Sequence, residues 1–198
     1  MNKSTVSIIK YGLIAAVIGW IYFSNSSSDT DYAKDEIDLN LVLDVTVETL
    51  HTVSENTPQD ADADQAFIGL ADALAVDYNK SQPAIYTSEI GVSPQVDSSL
   101  LAFADENNNK TLDENEVALF KIEIDGENAR IIASSRSGAV NDHHFSGTGL
   151  IAGYLIGSML TRQRAAGVSA KSLANKKTVT SRAAAKARAG SGSHSKGK

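Results

Sequence analysis

The chain has 198 residues, 24 Asp or Glu against 18 Lys or Arg, and no cysteine. That length accommodates one domain of ordinary size with tails. The lack of Cys excludes disulfides, thiolate zinc sites, a cysteine nucleophile and a lipoprotein acylated on an N-terminal Cys. The charges are sorted along the chain: all the acids fall between Asp29 and Asp142, whereas Arg162 to Lys198 carries ten Lys or Arg and no acid. An acidic block attracts cations and a basic tail attracts phosphates.

Residues 1–28 form a targeting segment. Lys3 and Lys10 precede an uncharged run from Tyr11 to Phe23. As a helix that run rises roughly 20 Å, short of the hydrocarbon layer of about 30 Å. Starting at Val6 it reaches further, with the Lys10 ammonium snorkelling to the headgroups and Trp20 and Tyr22 at the opposite interface. An uncleaved signal-anchor is expected, and a cleaved signal peptide with a secreted or periplasmic product is the alternative. Either way the positive-inside rule puts the acidic domain, residues 29–142, on the non-cytoplasmic side.

Within that domain Ile37, Leu39, Leu41, Leu43, Val45 and Val47 recur at every second position, with Asp38, Asn40, Asp44 and Glu48 on the other face, which predicts a half-buried strand. From Asp60 to Tyr78 the period changes to that of an amphipathic helix, through Phe67, Leu70, Ala71, Leu74 and Tyr78. Pro83 and Pro94 bracket a short extended piece around Ile85 to Ile90. Ala118, Phe120, Ile122 and Ile124 alternate up to Asp125-Gly126, and an apolar run resumes at Ala129, which predicts a hairpin. The expected class is a small α+β domain.

One stretch carries chemistry. Oxygen-bearing side chains occupy positions 1, 3, 5, 9 and 12 of the segment 105–116, namely Asp105, Asn107, Asn109, Asp113 and Glu116. Thr111 can offer its carbonyl at position 7, and apolar Leu112 follows. The segment resembles the calcium loop of EF-hand proteins. The spacing suits a hard cation that takes six to eight oxygens, with a two-oxygen Glu closing the shell. The resemblance covers twelve residues only and implies bound Ca2+, at the roughly 10⁻⁴ to 10⁻³ M affinity of extracellular modules. Lys110 stands where the family has glycine, at a turn that requires positive φ. The residues after Glu116 read as a strand and not as an exit helix. An acidic, asparagine-rich turn with no metal is the competing reading.

Phe145 to Leu160 is again uncharged, with Gly149, Gly153 and Gly157 every fourth residue. Residues 143–161 are expected as a glycine-rich apolar helix, serving as a second membrane span or as a helix-packing face for a homo-oligomer. A two-pass hairpin is the preferred topology, since a second span would return the basic tail to the cytoplasm, beside anionic lipid headgroups. Residues 162–198 contain no aromatic residue and are expected to be disordered; without a stacking platform, nucleic acid ranks below lipid as partner. His143-His144 reads as a solvated linker pair. No HExxH, GxSxG or phosphate-loop pattern occurs, so no enzymatic activity is expected. The expectation is a non-enzymatic, membrane-anchored envelope protein with a weak calcium-binding external domain, as sensor or structural module. The alternative is an assembly protein oligomerising through the Gly149/Gly153/Gly157 face.

Overall fold

The structure, a computed structural model, describes residues 37–145 and 153–191. The N-terminal segment with Lys10, Trp20 and Tyr22, and also Gly149, lie outside them. The described residues are mixed α and β, built on a five-stranded antiparallel sheet.

The predicted strand at Ile37–Val47 is a helix, α1, Leu39–Asn56. Asp38 caps it, its carboxylate accepting from the Asn40 and Leu41 amides. The buried residues Leu39, Val42, Leu43, Thr46, Thr49 and Leu50 follow helical spacing. Two of them are threonines, and their hydroxyls hid the stripe in the sequence. Thr46 Oγ1 donates to the Val42 carbonyl at 2.6 Å and accepts from the Tyr78 hydroxyl at 2.6 Å, while Thr49 Oγ1 donates to Asp77 at 2.7 Å. Each buried hydroxyl is thereby satisfied, and burial pushes the Tyr78 hydroxyl pKa far up. Helix α2, Ala63–Lys80, opens on an Asp62 cap, and Phe67, Leu70, Ala71, Leu74 and Tyr78 are buried as predicted.

The sheet is a meander in sequence order: β1 Ile90–Pro94, β2 Leu100–Ala104, β3 Ala118–Asp125, β4 Arg130–Ser135 and β5 Val140–His144. The predicted hairpin joins β3 to β4, with Asp125 opposite Arg130. The registers Ile90 to Ala104, Leu100 to Ile122 and Ile124 to Ile131 put these side chains on one face. That face forms the main core with α1, α2 and α3, Tyr154–Ala165. The edge of β1 is masked by Asn79, whose amide accepts from Ile90 N at 2.9 Å and donates to Ile90 O at 3.0 Å. Pro94 closes the other end of that edge.

Two expectations about the C-terminal third change. His143 and His144 belong to β5, and the apolar helix begins only at Tyr154. Its Leu155, Ile156 and Met159 lie in the main core, where each contributes about 2 kcal/mol of apolar burial. No helix among the described residues is long and apolar enough to cross a membrane. The tail expected to be disordered carries α4, Ala170–Ala174, against β3 and α5, Ser181–Ser191, beside the turn between β4 and β5. It folds because the sheet supplies the partners that its own composition lacks: Leu173 is buried, Val179 pairs with Val140, and Lys176 meets Glu123.

Arg130 joins these pieces. Its Nε donates to Asp125 at 3.0 Å, Nη1 to Asp142 at 2.6 Å and Nη2 to the Leu173 carbonyl at 2.7 Å. Burial pushes the Asp125 carboxyl up, but hydrogen bonds from Asn128 and Arg130 and the guanidinium charge outweigh it, and the pKa lies below the ordinary aspartate value. Such a group adds stability above its unfolded pKa and loses it as pH falls through the folded one. Asp125→Asn should therefore cost about 3 kcal/mol at neutral pH in denaturant unfolding. The gap from the parent should shrink as pH falls below about 4, and a gap unchanged by acid would contradict the assignment.

Candidate metal site in the loop between β2 and β3

Residues 105–116 leave β2 and return into β3, so the sheet itself holds the loop's two ends together. Ala104 N donates to Val117 O at 2.9 Å, and Asp105 N donates to Glu89 O at 2.9 Å. Asp105 and Glu116, positions 1 and 12, thus start from adjacent strands. In this neck the strands occupy the place that flanking helices hold in an EF-hand. A bulge between Ala102 and Phe103 re-aims the end of β2. Phe103 then packs on the far face with Leu101, Ala118 and the loop's Leu112. Its ring lies directly over Gly91, where any Cβ would collide with it. The strand β2 was missed in the sequence because Leu100–Ala104 is buried on both faces and shows no alternation; only its flanking turn residues signal it.

Inside the loop the side chains bond to one another. The Asp105 carboxylate, 2% exposed, accepts from Asn109 N at 3.1 Å and Lys110 N at 2.9 Å. Those amides point inward because Asn108 and Lys110 have left-handed φ values of 56° and 59°. Asn107 Oδ1 accepts from Asn109 N at 3.0 Å and Asn109 Oδ1 from Thr111 N at 2.7 Å, two successive side-chain turns. The Nδ2 atoms of Asn107 and Asn109 both donate to Asp113 Oδ2, each at 2.8 Å. Glu116 Oε2 accepts from Asp113 N at 2.9 Å. Its Oε1 is buried and has no hydrogen-bond partner.

Glu116 is 3% exposed. Burial foremost pushes its carboxyl up; the amides of Asp113 and Glu106 oppose this, and the charges of Asp105 and Asp113 add to it. An anion that is disfavoured among other anions gains from a nearby cation.

No protein-family model, curated protein or solved structure matches the chain. The residues themselves therefore carry the functional argument. Asp105, Asn107, Asn109, Asp113 and Glu116 are linked by hydrogen bonds through the loop, and exposed Thr111 lies between them. Among the described residues no three His, Cys, Asp or Glu side chains come together as a ready-made metal cage, and in this loop the amides of Asn107 and Asn109 both meet Asp113. Gly153 caps α3, and a Cβ there would collide with Ser54 of α1, so its bareness serves a contact within the chain. Gly157 is exposed with open space beside it.

Lys110 holds a conformation that costs an L-residue about 1 kcal/mol or more. Lys110→Gly should raise domain stability by about 0.5–1 kcal/mol, the relief exceeding the extra chain entropy of glycine. A lower denaturant midpoint in this variant would show that the lysine side chain supports the loop.

Proposed function

We propose that this is a non-enzymatic, membrane-anchored protein whose exported acidic domain binds Ca2+ in the 105–116 loop and is stabilised by it. The observation that carries this reading is Glu116: a carboxylate oxygen buried without a partner, on a residue that feels the charges of Asp105 and Asp113. The donor set is all oxygen, which suits a hard cation and not zinc or copper. Asp105, Asn107, Asn109, the Thr111 carbonyl, Asp113 and Glu116 would hold the ion. Bound Ca2+ would supply positive charge to the Asp105, Asp113 and Glu116 carboxylates of this loop. With strands at the neck, the loop lacks the helix pair that calcium sensors open, which favours a structural module over a switch.

The test is thermal unfolding with Ca2+ or with chelator. The parent should melt several degrees higher in millimolar Ca2+, and Glu116→Gln should lose that shift. A parent whose melting ignores Ca2+ would end the proposal.

The anchor belongs to residues 1–28, and one span is the better reading, because the apolar side of α3 is already occupied by the domain core. The tail's exposed cations, Arg182 and Lys186 among them, then suit anionic headgroups at the surface to which the domain is tethered. The chain's lack of cysteine makes topology mapping clean. Glu127→Cys and Ser195→Cys should both be labelled by an impermeant maleimide on intact cells. Labelling of Glu127→Cys alone would mean two spans, and labelling of neither would place the domain inside and remove its external calcium.

A further inference from the structure

Two of the loop's asparagines, Asn107 and Asn109, are bound at each end. Their oxygens hold backbone turns, accepting from Asn109 N and Thr111 N, while their nitrogens converge on the same atom, Asp113 Oδ2. The hydrogen-bond partners fix which end is which, since the reverse orientation would set oxygen against oxygen and N–H against N–H. Two amide N–H dipoles thus meet a carboxylate that a cation would otherwise neutralise. Glu116 Oε1 is buried in the same loop without a hydrogen-bond partner.

We propose that Asn107 and Asn109 are a built-in substitute for the cation, holding the loop closed without metal and thereby setting a low affinity for it. The inference rests on the calcium reading of the same loop. To take Asp113 Oδ2 as a ligand, a cation must compete with the two amide N–H donors already on it, so metal entry displaces hydrogen bonds that already exist. An Asp in the same place keeps the turn with one oxygen and offers the second to the ion. It also adds a negative charge, which tightens cation binding and, without metal, repels Asp113. The asparagines therefore exchange affinity for metal-independent folding, and the loop responds only where Ca2+ is abundant.

The experiment compares the full-length chain in detergent with N107D/N109D, using calorimetric titration with CaCl2 and thermal unfolding in chelator. The double variant should bind Ca2+ at least about tenfold tighter. Its melting temperature in chelator should fall by several degrees and recover when Ca2+ is added. Parental affinity in the double variant, or an unchanged melting temperature in chelator, overturns the proposal. If neither chain takes up Ca2+ in the calorimeter, the calcium reading itself falls and the substitute role falls with it. Tight binding without loss of metal-free stability overturns the substitute role alone.

Discussion

A carboxylate taken out of water is costly unless donors or cations meet it, and this acid-rich chain buries Asp105, Glu116, Glu123 and Asp125. That constraint organises the molecule beyond its apolar core. Asp125 is met by Arg130 and Asn128, and Glu123 by Lys121 and Lys176. Asp105 is met by two backbone amides that need left-handed residues to reach it. Glu116 departs from the pattern, with one oxygen satisfied and one left bare. A site that breaks a rule kept everywhere around it is where function is expected.

The same constraint explains why the two faces of the sheet are covered differently. On one face Ile90, Ala102, Phe120, Ile122 and Ile131 meet the apolar sides of α1, α2 and α3. On the other, Leu101, Phe103, Leu112 and Ala118 form a small apolar cluster under the metal-type loop. Next to it Lys121, Glu123, Asp125, Arg130 and Asp142 make a charged surface that suits a basic, carbonyl-bearing partner. The tail is that partner: Lys176 answers Glu123, and the Leu173 and Ala174 carbonyls accept from Arg130 Nη2. Charge sorting along the sequence becomes charge pairing across the sheet.

The loop derives its order from this frame. Its ends are fixed by β2 and β3, its Leu112 is anchored in the far-face cluster, and Asp105 is tied through Glu89 to the start of β1. Helix α2 reaches the same place through Asn79, which brackets Ile90. Rigid elements on both sides therefore hold the candidate ligands, a better basis for a defined ion site than a free loop.

By itself the sequence determined the helix α2, the β3–β4 hairpin, the mixed class and the twelve-residue oxygen pattern, because each is written in local spacing that does not depend on distant residues. It did not determine α1, where alternating apolar residues pointed to a strand while Thr46 and Thr49 faced the core; Tyr78 and Asp77 on α2, with the Val42 carbonyl, make those hydroxyls acceptable inside. Nor did it determine β2, whose burial on both faces erases periodicity, or the folded tail, whose order comes from Arg130, Glu123 and Val140 more than thirty residues away. The positions of the candidate oxygen ligands were legible in one dimension. That two asparagines converge on Asp113 while Glu116 keeps a bare oxygen was decided by the tertiary structure, since only the paired strands bring positions 1 and 12 side by side.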